Sequence, residues 1–148
     1  MPGKMLSPRE ALGLLSSNDE ARYIDVRTVA EFAAGHPRGR VVNIPIVFHH
    51  PTRREIYPND SFLAVVASLY DKDRPLIIGG DDGGRTEQAA GRLQGAGYTN
   101  VSVMPDGLEG WRAQNLATTT DNRNGVSYVS LLSALKRKGK KQKTGAHA

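Results

Sequence analysis

The chain has 148 residues, of which 20 are Lys or Arg and 15 are Asp or Glu, giving a formal net charge of +5. This length suits one domain, and the 39% of hydrophobic residues suffice for one core. The sequence contains no cysteine, which excludes disulfides, thiolate metal sites, iron–sulfur clusters and a cysteine nucleophile supplied by this chain.

Two short segments in the first third of the chain have the Ser/Thr-x-x-Glu spacing of a capping box, in which two residues bond each other's backbone. These segments are Ser7–Glu10 and Thr28–Glu31. They predict one helix that begins at Pro8 and a short second helix over residues 29–34, which Gly35 ends. The β-rich runs 22–26 and 41–44 predict short strands.

The middle of the chain begins with a polar segment. Residues 48–58 include two Pro, two Arg and two His, which predicts an exposed loop. Asn59 or Asp60 is then expected to cap a helix that runs through Leu69. The continuous apolar run 75–79 is typical of a strand that a parallel sheet buries on both faces.

After a glycine-rich turn, a helix, a strand over 101–104 and a helical turn over 107–113 continue the alternation of helices and strands. This order predicts an α/β fold with a mostly parallel sheet and helices on both faces. We assign this domain to residues 1–120. An amphipathic helix is predicted over residues 121–135, and a basic, disordered tail over residues 136–148.

The charge of the chain is concentrated in that tail. Its basic residues are Lys136, Arg137, Lys138, Lys140, Lys141 and Lys143. Residues 1–135 keep 14 basic and 15 acidic residues, a net charge of −1. The tail is interpreted first as solubilising, with an anionic membrane or nucleic acid bound through Lys136–Lys143 as the alternative.

Two observations bear on localisation. No run approaches the roughly 20 apolar residues of a membrane span, and residues 1–6 lack the apolar region of a secretory signal. We therefore expect a cytoplasmic protein.

Three stretches together resemble the rhodanese-like (sulfurtransferase) superfamily, of the single-domain type. They are Tyr23–Arg27 with the motifs Glu31-Phe32, Gly35-His36 and Asn43-Ile44-Pro45 that follow it, the strand–loop–helix Leu76–Ala90, and Gly97–Trp111. The similarity covers about residues 6–117 in the family's order and spacing. It implies a five-stranded, mostly parallel sheet with helices on both faces.

In active members of this family, a loop runs from a cysteine to an arginine five residues later. The cysteine thiolate takes a sulfane sulfur from thiosulfate or a persulfide and passes it to an acceptor. Here the arginine is Arg85, and Gly80 occupies the nucleophile position. The resemblance therefore implies no catalytic residue and a ligand-binding loop formed by Gly80, Asp81, Asp82, Gly83, Gly84, Arg85 and Thr86.

The charge of this loop is unusual for an anion site. Two aspartates and one arginine give a formal −1, which offsets the attraction of backbone N–H groups for an anion unless both carboxylates point outward. The spacing Gly79-x₄-Gly84-Arg85-Thr86 also resembles a phosphate-binding P-loop, but its lysine is absent. Two adjacent acids are too few ligands to predict a metal, and we expect no metal or cofactor.

Asp25 and Arg27 lie where the family match places the rim of the ligand site. The residues themselves favour a structural interpretation. In it, Asp25 bonds backbone at the end of a strand, and Arg27 pairs with Glu31 to hold the turn.

We therefore predict a non-catalytic binding or regulatory module whose ligand is a protein partner or a small anion. One alternative is a protein of a sulfur-transfer pathway whose thiol comes from a partner, or from a cysteine that stands at position 80 in the natural protein. A second alternative is an adaptor that uses its basic tail. The sequence leaves the oligomeric state open.

Overall fold

The structure is a computed structural model that describes residues 4–50, 52–81 and 84–146, with side chains up to position 138. Its main sheet contains strands β1 (Lys4–Met5), β2 (Arg22–Asp25), β4 (Val41–Asn43), β7 (Leu76–Gly79) and β8 (Val101–Val103). Their spatial order is β1-β8-β7-β2-β4, and every neighbouring pair is parallel. Two antiparallel ribbons pair β3 (His36–Pro37) with β9 (Thr118–Thr119), and β5 (Val47–His49) with β6 (Ile56–Pro58).

Helices cover both faces of the sheet, which confirms the predicted fold class. They are α1 (Pro8–Ser17), α2 (Val29–Ala34), α3 (Phe62–Leu69), α4 (Gly84–Gly95), α5 (Gly107–Ala113) and α6 (Tyr128–Ala146). Successive side chains of a strand point to opposite faces of the sheet. Ile24 and Ile78 pack with α3, α4 and α6 on one face. Tyr23 and Ile77 pack with α1, α2 and α5 on the other face. The central strands are therefore buried on both faces, as a parallel sheet requires.

Both predicted capping boxes are confirmed. The Ser7 hydroxyl accepts from the Glu10 N–H at 3.1 Å, and the Glu10 carboxylate accepts from the Ser7 N–H at 2.9 Å. Thr28 and Glu31 make the same exchange at the start of α2. The predicted cap of α3 is wrong: Ser61 is the N-cap, because the buried Asn59 bonds the Ser61 N–H and the Pro45 carbonyl instead.

Residues 48–58 are only partly the predicted exposed loop. Residues 50 and 52–55 connect the two strands of the hairpin β5–β6, in which Phe48 pairs with Tyr57 and packs against Tyr128 of α6. Each strand of the hairpin has only three residues, and histidine and proline interrupt its apolar pattern. So short an alternation carries little signal in the sequence.

The C-terminal helix differs from its predicted bounds. It begins at Tyr128 rather than at residue 121, and it continues to Ala146, through most of the segment predicted to be a disordered tail. Lysine, arginine and glutamine favour helix, and Leu131 and Leu135 anchor its first turns on the core. Among the helices that the structure describes, none is long and apolar enough to cross a membrane.

Candidate functional site

The candidate site lies at the carboxyl edge of the sheet, where two adjacent parallel strands end side by side. Asp25 ends β2 and is paired in register with Gly79, which ends β7. The loop from Gly80 then leads into α4. Clefts at this edge are where open α/β sheets usually place their ligands, because loops from neighbouring strands converge there.

A buried ion pair forms the floor of the site. The Arg27 guanidinium donates to both carboxylate oxygens of Asp25, at 3.0 Å from Nε and 2.8 Å from Nη2, and Nη2 also donates to the Gly35 carbonyl at 2.7 Å. The Asp25 side chain is fully buried. Burial raises the pKa of the Asp25 carboxyl, although the hydrogen bonds from Arg27 oppose this effect.

Gly80 occupies the position of the family's nucleophile, and the space beside it is filled. A Cβ built on Gly80 would overlap Oδ1 of Asp25 and would lie 3.0 Å from Cγ of Arg27. The backbone φ of Gly80 is +124°, a conformation that side-chain-bearing residues rarely adopt. The local structure therefore suits glycine, and it leaves no room for a cysteine unless the Asp25–Arg27 pair moves.

The Asp81 carboxylate points into the loop and not outward. Its Oδ2 accepts from Nε of Arg85 at 2.6 Å, and its Oδ1 accepts from the Thr86 hydroxyl at 2.9 Å and from the Thr86 N–H at 3.4 Å. Thr86 is buried in the first turn of α4, whose amino end favours negative charge. The loop's own carboxylate thus occupies Nε of Arg85 and both donors of Thr86.

Arg85 is engaged by a second carboxylate. Its Nη1 and Nη2 donate to Oε1 and Oε2 of Glu31 at 2.7 Å and 3.0 Å. These bonds lower the pKa of Glu31 to about 2, and they raise the pKa of Arg85. Two acids therefore neutralise the one arginine of the loop.

A cavity of about 360 Å³ opens in front of Gly80. It lies between the loop, α2 and the start of α5, where the Leu108 N–H donates to the Gly80 carbonyl at 3.2 Å. Its charged lining residues are Arg27, Glu31, Asp81, Asp106, Glu109 and Arg112. Four carboxylates against two guanidinium groups give this lining a formal charge of −2.

Most of the residues that the sequence predicts for the ligand-binding site lie close together in the structure. Gly80, Asp81, Gly84, Arg85 and Thr86 form the described part of the loop, and Asp25 and Arg27 lie beneath it. Asp82 and Gly83 lie outside the described residues. Within the described ranges, no three His, Asp or Glu side chains are placed to hold a metal ion.

One predicted contact is wrong, and the side of the cavity formed by α5 was not predicted from the sequence. Glu31 pairs with Arg85 and not with Arg27, because Arg27 turns inward onto Asp25. Asp106, Glu109 and Arg112 were not nominated as site residues. The Asp-Gly-Leu-Glu-Gly-Trp motif could have indicated this wall of the site. The turn at Gly107 places the start of α5 beside the loop, where the Leu108 N–H donates to the Gly80 carbonyl.

Comparison with known families identifies this fold. The model of the rhodanese-like domain family matches residues 7–114. That match covers well over half of the chain, and the chain therefore belongs to the rhodanese-like domain family. The match includes β2, the loop after β7 and the closing motif around Trp111.

Two plant proteins are among the curated relatives. "Protein HIGH ARSENIC CONTENT 1, mitochondrial" of Arabidopsis thaliana is 41% identical over 101 residues, which cover 68% of this chain and 57% of that protein. "Thiosulfate sulfurtransferase 18" of the same plant is 33% identical over 113 residues, which cover 76% of this chain and 80% of that protein. The chain spans only 50–57% of the length of three such relatives.

Solved structures give the same fold. The structure of Rv0390 from M. tuberculosis superposes with a TM-score of 0.67 at 27% identity, covering 82% of this chain and all of the other. The polysulfide-sulfur transferase homodimer from Wolinella succinogenes superposes with a TM-score of 0.62 at 22% identity, covering 79% of this chain and 78% of that one. The second likeness is evidence for the fold alone.

Proposed function

We propose that this domain is a non-catalytic rhodanese-like module that acts by binding. The observation that carries the proposal is Gly80, a residue without a side chain, at the position where the family has its nucleophile. Sulfur transfer through an enzyme persulfide needs a thiolate, and this chain has no cysteine.

Of the two ligand classes considered, the geometry favours a protein partner over a small anion. The Asp81 carboxylate occupies the donors of Arg85 and Thr86, and Glu31 takes the rest of the Arg85 guanidinium. An anion in the cavity would also face a lining of formal charge −2. At 4 Å, each like-charge pair costs about 1 kcal/mol even in water. A neutral or cationic group presented by a partner meets no such cost.

The direct test is a thiosulfate–cyanide assay on the purified chain, with Arg85→Ala as the matched control. We expect thiocyanate formation at the uncatalysed rate for both proteins. Turnover by the wild-type protein that Arg85→Ala abolishes would show that the loop is catalytic, and it would overturn the proposal. Thermal unfolding of Arg85→Ala confirms that the control is folded.

A second candidate is a sulfur-transfer role in which a partner supplies the thiol. Two relatives at 33–34% identity are named thiosulfate sulfurtransferases, and the open cavity reaches Gly80. This candidate predicts saturable thiosulfate binding at the loop, seen as amide shifts of Gly80, Arg85 and Thr86 in an NMR titration. Shifts that are absent, or equally large with sodium chloride, would exclude it.

A further inference from the structure

The C-terminal helix α6 extends beyond the domain that it packs on. Tyr128 and Leu131 are buried, and Leu132 and Leu135 are partly buried against the same core. The Tyr128 hydroxyl also accepts from the buried Asn59 amide at 3.1 Å. After Leu135 the helix continues to Ala146, a further 11 residues or about 16 Å at 1.5 Å per residue. The core therefore anchors a projecting helix.

That projection carries the excess positive charge of the chain. Residues 136–148 hold six basic residues and no acid, whereas residues 1–135 carry a net −1. Lys136, Arg137 and Lys138 are exposed, and no carboxylate among the described residues pairs with them. The positive charge of these three residues is thus available to a partner.

The composition of the projection distinguishes between anionic partners. An amphipathic helix binds a membrane surface by inserting an apolar face among the lipids, and a helix without such a face is left with electrostatic attraction to anionic headgroups alone. After Leu135 no residue has an apolar side chain larger than alanine. The exposed Val129 lies at the other end of α6, in the anchored half. A helix with clustered positive charge and no apolar face suits the phosphate backbone of a nucleic acid.

We propose that the projecting part of α6 binds nucleic acid through its phosphates, without sequence preference. Binding of this kind is driven by release of counterions, so it weakens steeply as salt is added. This inference is independent of the loop at Gly80, since it depends on no residue of the candidate site.

The test measures binding of the full chain to a fluorescent 20-base-pair DNA duplex of arbitrary sequence, by anisotropy, from 50 to 200 mM salt. With six phosphate contacts, the slope of log affinity against log salt should be about −5, a loss of about 10³-fold over this range. The triple variant K136Q/R137Q/K138Q should bind more weakly at 50 mM salt, and its slope should fall to about −3.

The matched control is R53Q/R54Q/R123Q, which removes three exposed basic residues from the domain itself. Its affinity should stay within about twofold of wild type. Equal losses in the two triple variants, or no loss in K136Q/R137Q/K138Q, would overturn the proposal. Binding to phosphatidylserine vesicles with no binding to DNA would overturn it in favour of a membrane. Circular dichroism and thermal unfolding check that both variants are folded.

Discussion

Oδ1 of Asp25 occupies the space that a side chain on Gly80 would need. Asp25 is held there from two directions, by the Arg27 guanidinium and by the Arg27 backbone N–H, which donates to the same oxygen at 3.1 Å. An ion pair therefore lies in the place that a side chain at position 80 would take. A single substitution at position 80 meets that ion pair as well as an unfavourable backbone conformation.

Gly80→Cys should accordingly fail to create a sulfurtransferase. The new side chain must displace Asp25 and adopt a φ of +124°, and backbone strain of this kind costs about 1–3 kcal/mol. We expect a lower free energy of unfolding in urea and no thiocyanate formation above background. Gly80→Ala is the control, because it meets the same obstacle without a thiol. Turnover by Gly80→Cys well above that of Gly80→Ala would show that the site accommodates a cysteine after all.

Removing one partner of the Asp25–Arg27 pair should lower the free energy of unfolding strongly, and replacing both partners should lower it less. Arg27→Met leaves the buried Asp25 carboxylate without its partner, which should lower the free energy of unfolding by about 3–5 kcal/mol at pH 7. Burial raises the pKa of Asp25, so its ionised form is itself disfavoured in the folded protein. Asp25→Asn combined with Arg27→Met should therefore be more stable than Arg27→Met alone.

Urea unfolding of the two single variants and the double variant forms a thermodynamic cycle that measures this coupling. If the effects of the two substitutions add, the pair contributes no coupling energy.

The Glu31–Arg85 ion pair should make stability depend on acid pH. Its hydrogen bonds lower the pKa of Glu31 from its ordinary value of 4.5 to about 2. An acid with a lowered pKa in the folded state stabilises the fold above its unfolded pKa, and this contribution is lost as the pH falls towards 2. The Glu31 side chain is 39% exposed, so solvent screening reduces the contribution to about 1 kcal/mol.

Glu31→Gln should therefore lower the free energy of unfolding at pH 7 and leave it nearly unchanged at pH 2. Glutamine keeps the capping box with Thr28, so the helix start is preserved. Glu109→Gln removes the same charge from the same cavity without touching the Glu31–Arg85 pair, and it is the control. An equal response of the two variants would mean that general charge, and not the ion pair, accounts for the effect.

Local signals in the sequence were enough for much of the fold. The bounds of α2 follow from its two caps, Thr28 and Gly35, which are only seven residues apart in the sequence. The Glu31–Arg85 pair joins residues 54 positions apart, and nothing in the local pattern selects Arg85 over the nearer Arg27. The family's five-residue spacing before Arg85 identifies Gly80. The contact between Asp25 and Gly80 depends on the packing of β2 beside β7, which local sequence does not show. The fold was thus more predictable than the contacts of its site.

Replacing Asp81 should increase the affinity of the loop for small anions. Asp81→Ala removes a negative charge and frees Nε of Arg85 together with the hydroxyl and N–H of Thr86. Relief of about 1 kcal/mol of repulsion corresponds to roughly fivefold tighter binding of thiosulfate or phosphate, measured by NMR titration. Asp106→Ala is the control, since it removes the same charge from the cavity and its side chain makes no hydrogen bond to the described residues of the loop. Equal gains in both variants would attribute the weak affinity to the cavity's charge as a whole, and no gain in either would mean that Asp81 does not occupy an anion site.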